Sequence, residues 1–191
     1  MPSLSEADQY ALLRLARQAV VKAVSQGSLP DQIPHEAVFA ERRGIFVTLH
    51  VRHRLRGCIG VIEAEEPLGE STVRCAASAA LQDPRFAPLR AEELSELRIE
   101  ISILSPPAPI RAEEIEIGRH GLLVSRGKQR GVLLPQVATE HHFTREQFLE
   151  ETCRKAQLGR EAWREGGTQV LGFTCEVFSE EQLPLSREPG K

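Results

Sequence analysis

The chain has 191 residues, of which 41% are hydrophobic and 27% are charged, and its formal net charge is -3. This length is sufficient for one large domain, or for one domain with a small lobe, and for a substantial hydrophobic core. Because a slightly negative protein is not attracted to a phosphate backbone, the charge argues against non-specific binding to nucleic acid.

The amino terminus and the cysteines indicate the compartment. The first residues, Met-Pro-Ser-Leu-Ser-Glu, contain neither a cationic nor an apolar segment, so they do not resemble a secretory signal. No apolar run approaches the roughly 18 residues that span a membrane, which argues against a membrane partner. The four cysteines are too far apart for a zinc knuckle or a redox pair. These features predict a cytoplasmic protein with reduced thiols and no metal.

Helices are expected where apolar residues recur at helical spacing between capping residues. Ser5 and Asp8 form a capping box for the first helix, which Gly27 ends. A second box is formed by Thr144 and Gln147. The helices expected from these signals cover residues 5–26, 67–81, 135–141 and 144–157.

Strands are expected where apolar and polar residues alternate. They cover residues 45–51, the segment around Cys58, and residues 97–104, 120–125, 130–134 and 169–178. Short turns join several of these strands as hairpins, and helices do not alternate with them regularly. The pattern therefore predicts an α+β fold with a mainly antiparallel sheet flanked by helices.

The hexapeptide at residues 55–60, Leu-Arg-Gly-Cys-Ile-Gly, indicates a candidate site. In extended backbone Arg56 and Cys58 lie on one face, where a cation favours the thiolate form of cysteine. Gly57 and Gly60 would let a ligand or another backbone approach closely. The alternative is that Cys58 is a small residue buried in a tight strand, and that Arg56 is an ion-pair partner of a structural carboxylate, Glu100 or Asp83.

Other candidate residues lie farther along the chain. Asp83 begins a loop that either ends a helix rigidly or presents Arg85 to a small anionic ligand. His120 is either a proton carrier or a hydrogen-bonded structural histidine. Glu140 is a further candidate for proton transfer, although it lies beside two histidines in what reads as a solvated helix end. No motif for a nucleotide, a dinucleotide or a metal is found, so no cofactor is expected.

Motifs at residues 55–60, 83–86, 100–104, 118–122 and 131–138 follow one another in a specific order. This order resembles the AMMECR family over about residues 5–180. The resemblance implies an α+β domain with a larger and a smaller lobe. The remaining residues, 181–191, are expected to form a flexible tail. Phe143 and Gln157 depart from the family pattern, which tends to have tryptophan and glycine there.

The prokaryotic branch of that family implies partners. Its AmmeMemoRadiSam system joins such a protein to a Memo-like protein and a radical SAM enzyme. One hypothesis is therefore an accessory or co-catalytic protein in which a cleft around Cys58 holds a ligand or a partner segment. The other is a thiol-dependent enzyme with Cys58 as nucleophile and with His120 or Glu140 as proton carrier. A histidine or carboxylate at hydrogen-bond distance from the Cys58 sulfur would favour the enzyme.

Overall fold

The computed structural model describes residues 3–183. Within it the chain divides into two compact units. Residues 3–103 and 176–183 form the first unit, and residues 104–175 form the second. Each unit has its own cluster of buried apolar side chains. The prediction of a single domain over residues 5–180 stays a prediction.

The first unit combines helices with an antiparallel sheet. Its central strand is β1, which pairs with β2 on one side and with β3 on the other. In the described residues its elements are α1 (Glu6–Gln26), α2 (Ala37–Ala40), β1 (Ile45–Val51), β2 (Arg54–Val61), α3 (Leu68–Leu81) and β3 (Leu97–Leu104).

The capping box predicted for α1 is confirmed. The Ser5 hydroxyl accepts a hydrogen bond from the Asp8 main-chain N–H, and the Asp8 carboxylate accepts one from the Ser5 N–H, each at 3.2 Å. Gly27 ends the helix with a φ of 63°, a left-handed conformation that glycine adopts without steric cost.

The two faces of β1 have different surroundings. Ile45 and Leu49 are fully buried and belong to the core that α1 and α3 form with the sheet. Thr48 and His50 alternate with them and are only partly buried, so they lie on the opposite face. A turn at Arg52 and His53, with φ values of 51° and 61°, leads from β1 into β2.

The second unit is also built around antiparallel strands. β7 pairs with β4 and β5, and β5 pairs with β6. The α+β prediction, with a mainly antiparallel sheet and flanking helices, is confirmed. The elements are β4 (Ala108–Pro109), β5 (His120–Arg126), β6 (Gln129–Leu133), α4 (Pro135–Glu140), α5 (Arg145–Lys155) and β7 (Gln169–Ser179), whose last residues belong to the first unit.

The end of α5 shows why the family pattern tends to have glycine where this chain has Gln157. Gln157 has a φ of 60°, in the left-handed region that favours glycine. Its N–H donates to Arg154 O at 3.0 Å, and the Leu158 N–H donates to Cys153 O at 2.9 Å. This bond pair defines a Schellman motif, in which the left-handed position is usually glycine. Glutamine therefore occupies a strained position here.

Short elements were not predicted from the sequence. They are α2, β4 and the short 3₁₀ helices at Ala91–Glu96, Ala112–Glu114 and Arg160–Arg164. Most of the tail predicted at 181–191 lies outside the described residues. In its described part, Leu183 donates a main-chain hydrogen bond to Ser179 O at 2.9 Å and packs against the first core.

Candidate functional site

Cys58 lies in a row of three side chains across the first sheet. Thr48 of β1 pairs with Cys58 of β2 on one side and with Glu100 of β3 on the other. The Thr48 hydroxyl donates a hydrogen bond to the Cys58 sulfur at 3.3 Å. Paired residues of adjacent strands share a face, so these three residues, named here the polar row, lie on the face opposite the helices. The thiol is partly exposed.

A β-bulge changes the predicted position of Arg56. Leu49 pairs with Gly57, but the next residue of β1, His50, pairs with Leu55, which leaves Arg56 as the extra residue. Leu55 therefore shares a face with Cys58, and the expected alternation, which placed Leu55 on the opposite face, is wrong at this point.

Arg56 makes its contacts with the chain that follows α3. Its guanidinium donates to both carboxylate oxygens of Glu93, at 2.8 and 3.0 Å, and to the carbonyl oxygens of Ala87 and Pro88. The structural ion pair considered for Arg56 is thus observed, but its partner is Glu93 rather than Glu100 or Asp83. This bidentate pair lowers the pKa of Glu93.

Close packing explains both glycines of the hexapeptide. A Cβ on Gly57 would lie 2.0 Å from the carbonyl oxygen of Ala79 in α3, far inside contact distance. A Cβ on Gly60 would lie 2.3 Å from the ring of Phe46. Glycine at these two positions therefore allows α3 and the Phe46 ring to pack closely against β2. Both are contacts within the fold.

The loop after α3 fastens the edge of β2 at Cys58. The buried Asp83 carboxylate accepts a hydrogen bond from the Cys58 main-chain N–H at 2.8 Å. Arg85 donates to both oxygens of that carboxylate, at 3.0 and 2.7 Å, and to the Cys58 carbonyl oxygen at 3.3 Å. Asp83 and Arg85, named here the edge clasp, thus satisfy the main-chain groups that an edge strand leaves unpaired. Each of the two predictions for this loop agrees in part with the structure. Asp83 is paired within the loop, and the Arg85 side chain stays half exposed.

The electrostatics of the clasp link Arg85 to the thiol. Hydrogen bonds from Arg85 hold the pKa of Asp83 well below its ordinary value, although burial opposes this. The Asp83 carboxylate raises the pKa of Arg85 in return, and interaction with the Cys58 thiol adds to that rise. Arg85, which also contacts the Cys58 carbonyl oxygen, is therefore a cation close to the thiol.

The other three cysteines have surroundings that oppose ionisation. Burial raises the pKa of Cys75 to about 11 and that of Cys175 to about 12. Burial also raises the pKa of Cys153. These thiols remain protonated near neutral pH and are poor nucleophiles.

His120 and Glu140 belong to the second unit, whereas Cys58, the edge clasp and Glu100 belong to the first. The His120 ring nitrogen Nδ1 accepts a hydrogen bond from the Glu116 main-chain N–H at 3.0 Å, which fits the structural alternative for this histidine. Glu140 is exposed at the last position of α4. Their roles as proton carriers stay predictions.

Sequence reasoning missed His50, which lies close to the polar row, and Glu93, which binds Arg56. His50 follows Thr48 by two positions on β1, so it lies on the same face, and it pairs with Arg98 of β3. Glu93 holds Arg56, as described above. The alternation of β1 gave a signal for His50, but only the pairing of strands reveals that it is near Cys58.

The arginines around the β1–β2 hairpin mostly have protein partners. Arg52 pairs with Glu96, and Arg56 with Glu93. Arg42 donates to the carbonyl oxygens of Ala64 and Glu65. These contacts neutralise or occupy much of the basic cluster that the sequence contains there.

Residues 3–183 have three further features that bear on other kinds of site. No group of three or more His, Cys, Asp or Glu side chains could hold a metal ion. No helix there is both long and apolar enough to span a membrane. A cavity of about 660 Å³ lies between α1 and residues 30–32, and none of its lining residues is a predicted site residue.

Comparison with known proteins shows the family. The AMMECR1 family profile matches residues 13–178. A protein from Thermococcus gammatolerans is 44% identical, covering 93% of this chain and 94% of its own, and one from Methanothermobacter thermautotrophicus is 42% identical, covering 93% and 97%. The crystal structure of an uncharacterised protein, PH0010 from Pyrococcus horikoshii, matches with a TM-score of 0.81 and 39% identity over 92% of this chain and 93% of that one. The chain therefore belongs to the AMMECR1 family.

Proposed function

We propose that the protein is an accessory component that acts in the cytoplasm with a Memo-like protein and a radical SAM enzyme. In this proposal the face around Cys58, with the polar row and the half-exposed Arg85, holds a small anionic ligand or a segment of one partner. The partners come from the resemblance to the prokaryotic branch of the family, and the surface comes from the geometry around the thiol.

The observation that carries the proposal is the kind of group that contacts the sulfur. The hydrogen bond observed at Cys58 Sγ comes from the Thr48 hydroxyl. The nearby Asp83 carboxylate bonds to the Cys58 main-chain N–H and is held ionised by Arg85. Covalent catalysis by cysteine normally needs a partner that accepts or moves a proton. A threonine hydroxyl that donates to the sulfur is not such a base, so this arrangement supports a binding role for the face.

A second candidate is a thiol-dependent enzyme with Cys58 as nucleophile. It is favoured by His50 and Glu100, because both lie on the face of the polar row. A substrate could bring these side chains into a proton-transfer path, since catalytic hydrogen bonds often form only in the complex. In that case His50→Gln would abolish turnover and leave association intact. Under the accessory proposal, His50→Gln changes turnover only as far as it changes association.

The proposal is tested by association with the purified partners from the same organism. Cys58→Ser keeps the shape of the face and should bind the Memo-like or radical SAM protein within about threefold of wild type, because affinity comes from many surrounding groups. Thr48→Trp fills the face with a large side chain and should weaken association at least about tenfold. Lys128→Trp, at the exposed turn between β5 and β6 of the second unit, is the matched control and should bind normally.

Two results would contradict this account. If wild type binds neither partner, the accessory role fails. If Thr48→Trp and Lys128→Trp bind equally well, the face around Cys58 is not the binding surface. A small anion that copurifies with wild type and not with Arg85→Met would support the ligand form of the proposal, since Arg85 is the half-exposed cation beside the thiol.

A further inference from the structure

Arg43 is a buried arginine with an unsatisfied side-chain donor. It is 7% exposed, and it lies between α2 and β1. Its Nε atom is fully buried and has no hydrogen-bond partner within residues 3–183. The ion pair recorded for Arg43 within residues 3–183 is with Glu41 at 3.8 Å, which is beyond hydrogen-bond distance.

Other partly buried arginines of the chain are well satisfied. Arg17 donates to the Glu180 carboxylate and to the carbonyl oxygens of Leu94 and Leu97. Arg126 donates to Thr168 and to the Ala162 carbonyl oxygen. Leaving a buried charged donor without a partner costs free energy, so such a group calls for a specific explanation. Arg43 is the exception to the pattern of the fold.

The backbone around Arg43 is fixed beside the first turn of α3. The Glu41 carbonyl oxygen accepts a hydrogen bond from the Leu68 N–H at 2.7 Å, and Arg42 donates to the Glu65 carbonyl oxygen at 2.6 Å. α3 begins after Pro67, which provides no side-chain cap. The positive end of the helix therefore lies near this segment, and it favours an anion there.

The acidic side chains near Arg43 have other partners, are exposed, or contact Arg43 only weakly. Glu66 is occupied by Arg74 and by the Ser71 hydroxyl. Glu70, in the first turn of α3, is exposed. Glu41 is half exposed and approaches Arg43 without a hydrogen bond, so a better acceptor can displace it.

We propose that Arg43 is the anchor of an oxyanion-binding site, and that a phosphate group is the class of ligand it accepts. A guanidinium offers parallel N–H groups that match two oxygens of a phosphate. The site is separate from Cys58 and does not depend on the accessory function. A bound oxyanion supplies the acceptors that the fold withholds from Arg43.

The test is isothermal titration calorimetry of the full chain with inorganic phosphate, against chloride at equal ionic strength. Wild type should bind phosphate. Arg43→Met, which keeps the length of the side chain without its charge, should lose about tenfold or more in affinity. Arg42→Met is the matched control and should change affinity less than about twofold, because Arg42 is exposed and bonded to the main chain. Glu41→Gln should tighten binding, since it removes a competing negative charge.

A second measurement separates a binding role from a structural one. In phosphate-free buffer, Arg43→Met should be at least as stable to heat as wild type, because it removes a buried charge whose Nε atom has no acceptor within residues 3–183. Phenyl phosphate serves as a further probe, and its binding would show that the phosphate can belong to an organic ligand. Absence of binding by both probes, equal binding by Arg43→Met, or unfolding of Arg43→Met in phosphate-free buffer would each overturn the proposal.

Discussion

Replacing Asp83 with asparagine tests the edge clasp directly. The substitution keeps the size of the side chain and removes its charge. In wild type the carboxylate accepts hydrogen bonds from the Cys58 N–H and from the main chain and side chain of Arg85. The asparagine oxygen can accept some of these bonds, but its NH₂ group would face donors. At least one main-chain or guanidinium donor thus loses its acceptor.

The expected cost follows from the burial of the two partners. Asp83 is 4% exposed, so an unsatisfied donor beside it costs about 1–3 kcal/mol. The Arg85 side chain is 54% exposed and can return to water, so its lost ion pair adds at most about 1 kcal/mol. We therefore expect Asp83→Asn to lower the free energy of unfolding by about 2–3 kcal/mol, which corresponds to a fall in Tm of about 4–12 °C for a chain of this size.

The loss should depend on pH in one direction. Because the pKa of Asp83 is depressed in the folded state, its contribution is present above the unfolded pKa of about 3.9 and is lost as pH falls below it. The difference in stability between wild type and Asp83→Asn should therefore be constant from about pH 6 to pH 8. It should shrink as the pH is lowered from about 5 towards 3.

Urea and thermal unfolding of wild type and three variants provide the measurement. Arg85→Met should cost less than Asp83→Asn, since it removes the exposed partner. Asp31→Asn is the control, because Asp31 forms a similar ion pair with Lys22 but is almost fully exposed, and its unfolding midpoint should not change. Equal effects of Asp83→Asn and Asp31→Asn, or a difference that does not shrink in acid, would refute the reasoning.

Three further predictions concern single positions. Gly57→Ala should destabilise the protein by about 2–4 kcal/mol, because its Cβ would overlap the Ala79 carbonyl oxygen, whereas Gly159→Ala, with open space around it, should be nearly neutral by urea unfolding. Gln157→Gly should raise the unfolding free energy by about 0.5–1 kcal/mol by relieving the left-handed strain, and a lower Tm would contradict this. Brief iodoacetamide treatment near neutral pH should label Cys58 first by mass-spectrometric mapping, and equal labelling of the other three thiols would contradict the assignment of Cys58 as the most reactive thiol. The thiols expected to react more slowly are Cys75, Cys153 and Cys175.

Local signals in the sequence predicted the main elements well. Ser5 with Asp8, and Thr144 with Gln147, begin helices because short polar side chains satisfy the first N–H groups, and this chemistry is readable within four residues. Alternation in β1 also identified its buried face. Capping and alternation can be predicted because they depend only on residues that are close together in the sequence.

The site depends on contacts that the sequence does not encode locally. The bulge in β2 interrupts the alternation at Arg56. When the extra residue of a bulge is not glycine, the sequence contains no local signal for the bulge. The acceptor of Arg56, Glu93, lies in a short 3₁₀ helix that was not predicted. The pairing of Asp83 with the Cys58 main chain could not be read from side-chain type, because an edge strand is known only once the sheet order is known.

The most direct test of the accessory role compares turnover with association for Cys58→Ser. The wild-type chain and the variant are each reconstituted with the Memo-like protein and the radical SAM enzyme, and consumption of S-adenosylmethionine is measured at saturating partner concentrations. Oxygen keeps the shape of the side chain but is a far poorer nucleophile at neutral pH. The account predicts that the variant associates normally and retains at least about a tenth of the turnover. A variant that associates fully and shows no turnover would contradict it and establish Cys58 as a catalytic nucleophile.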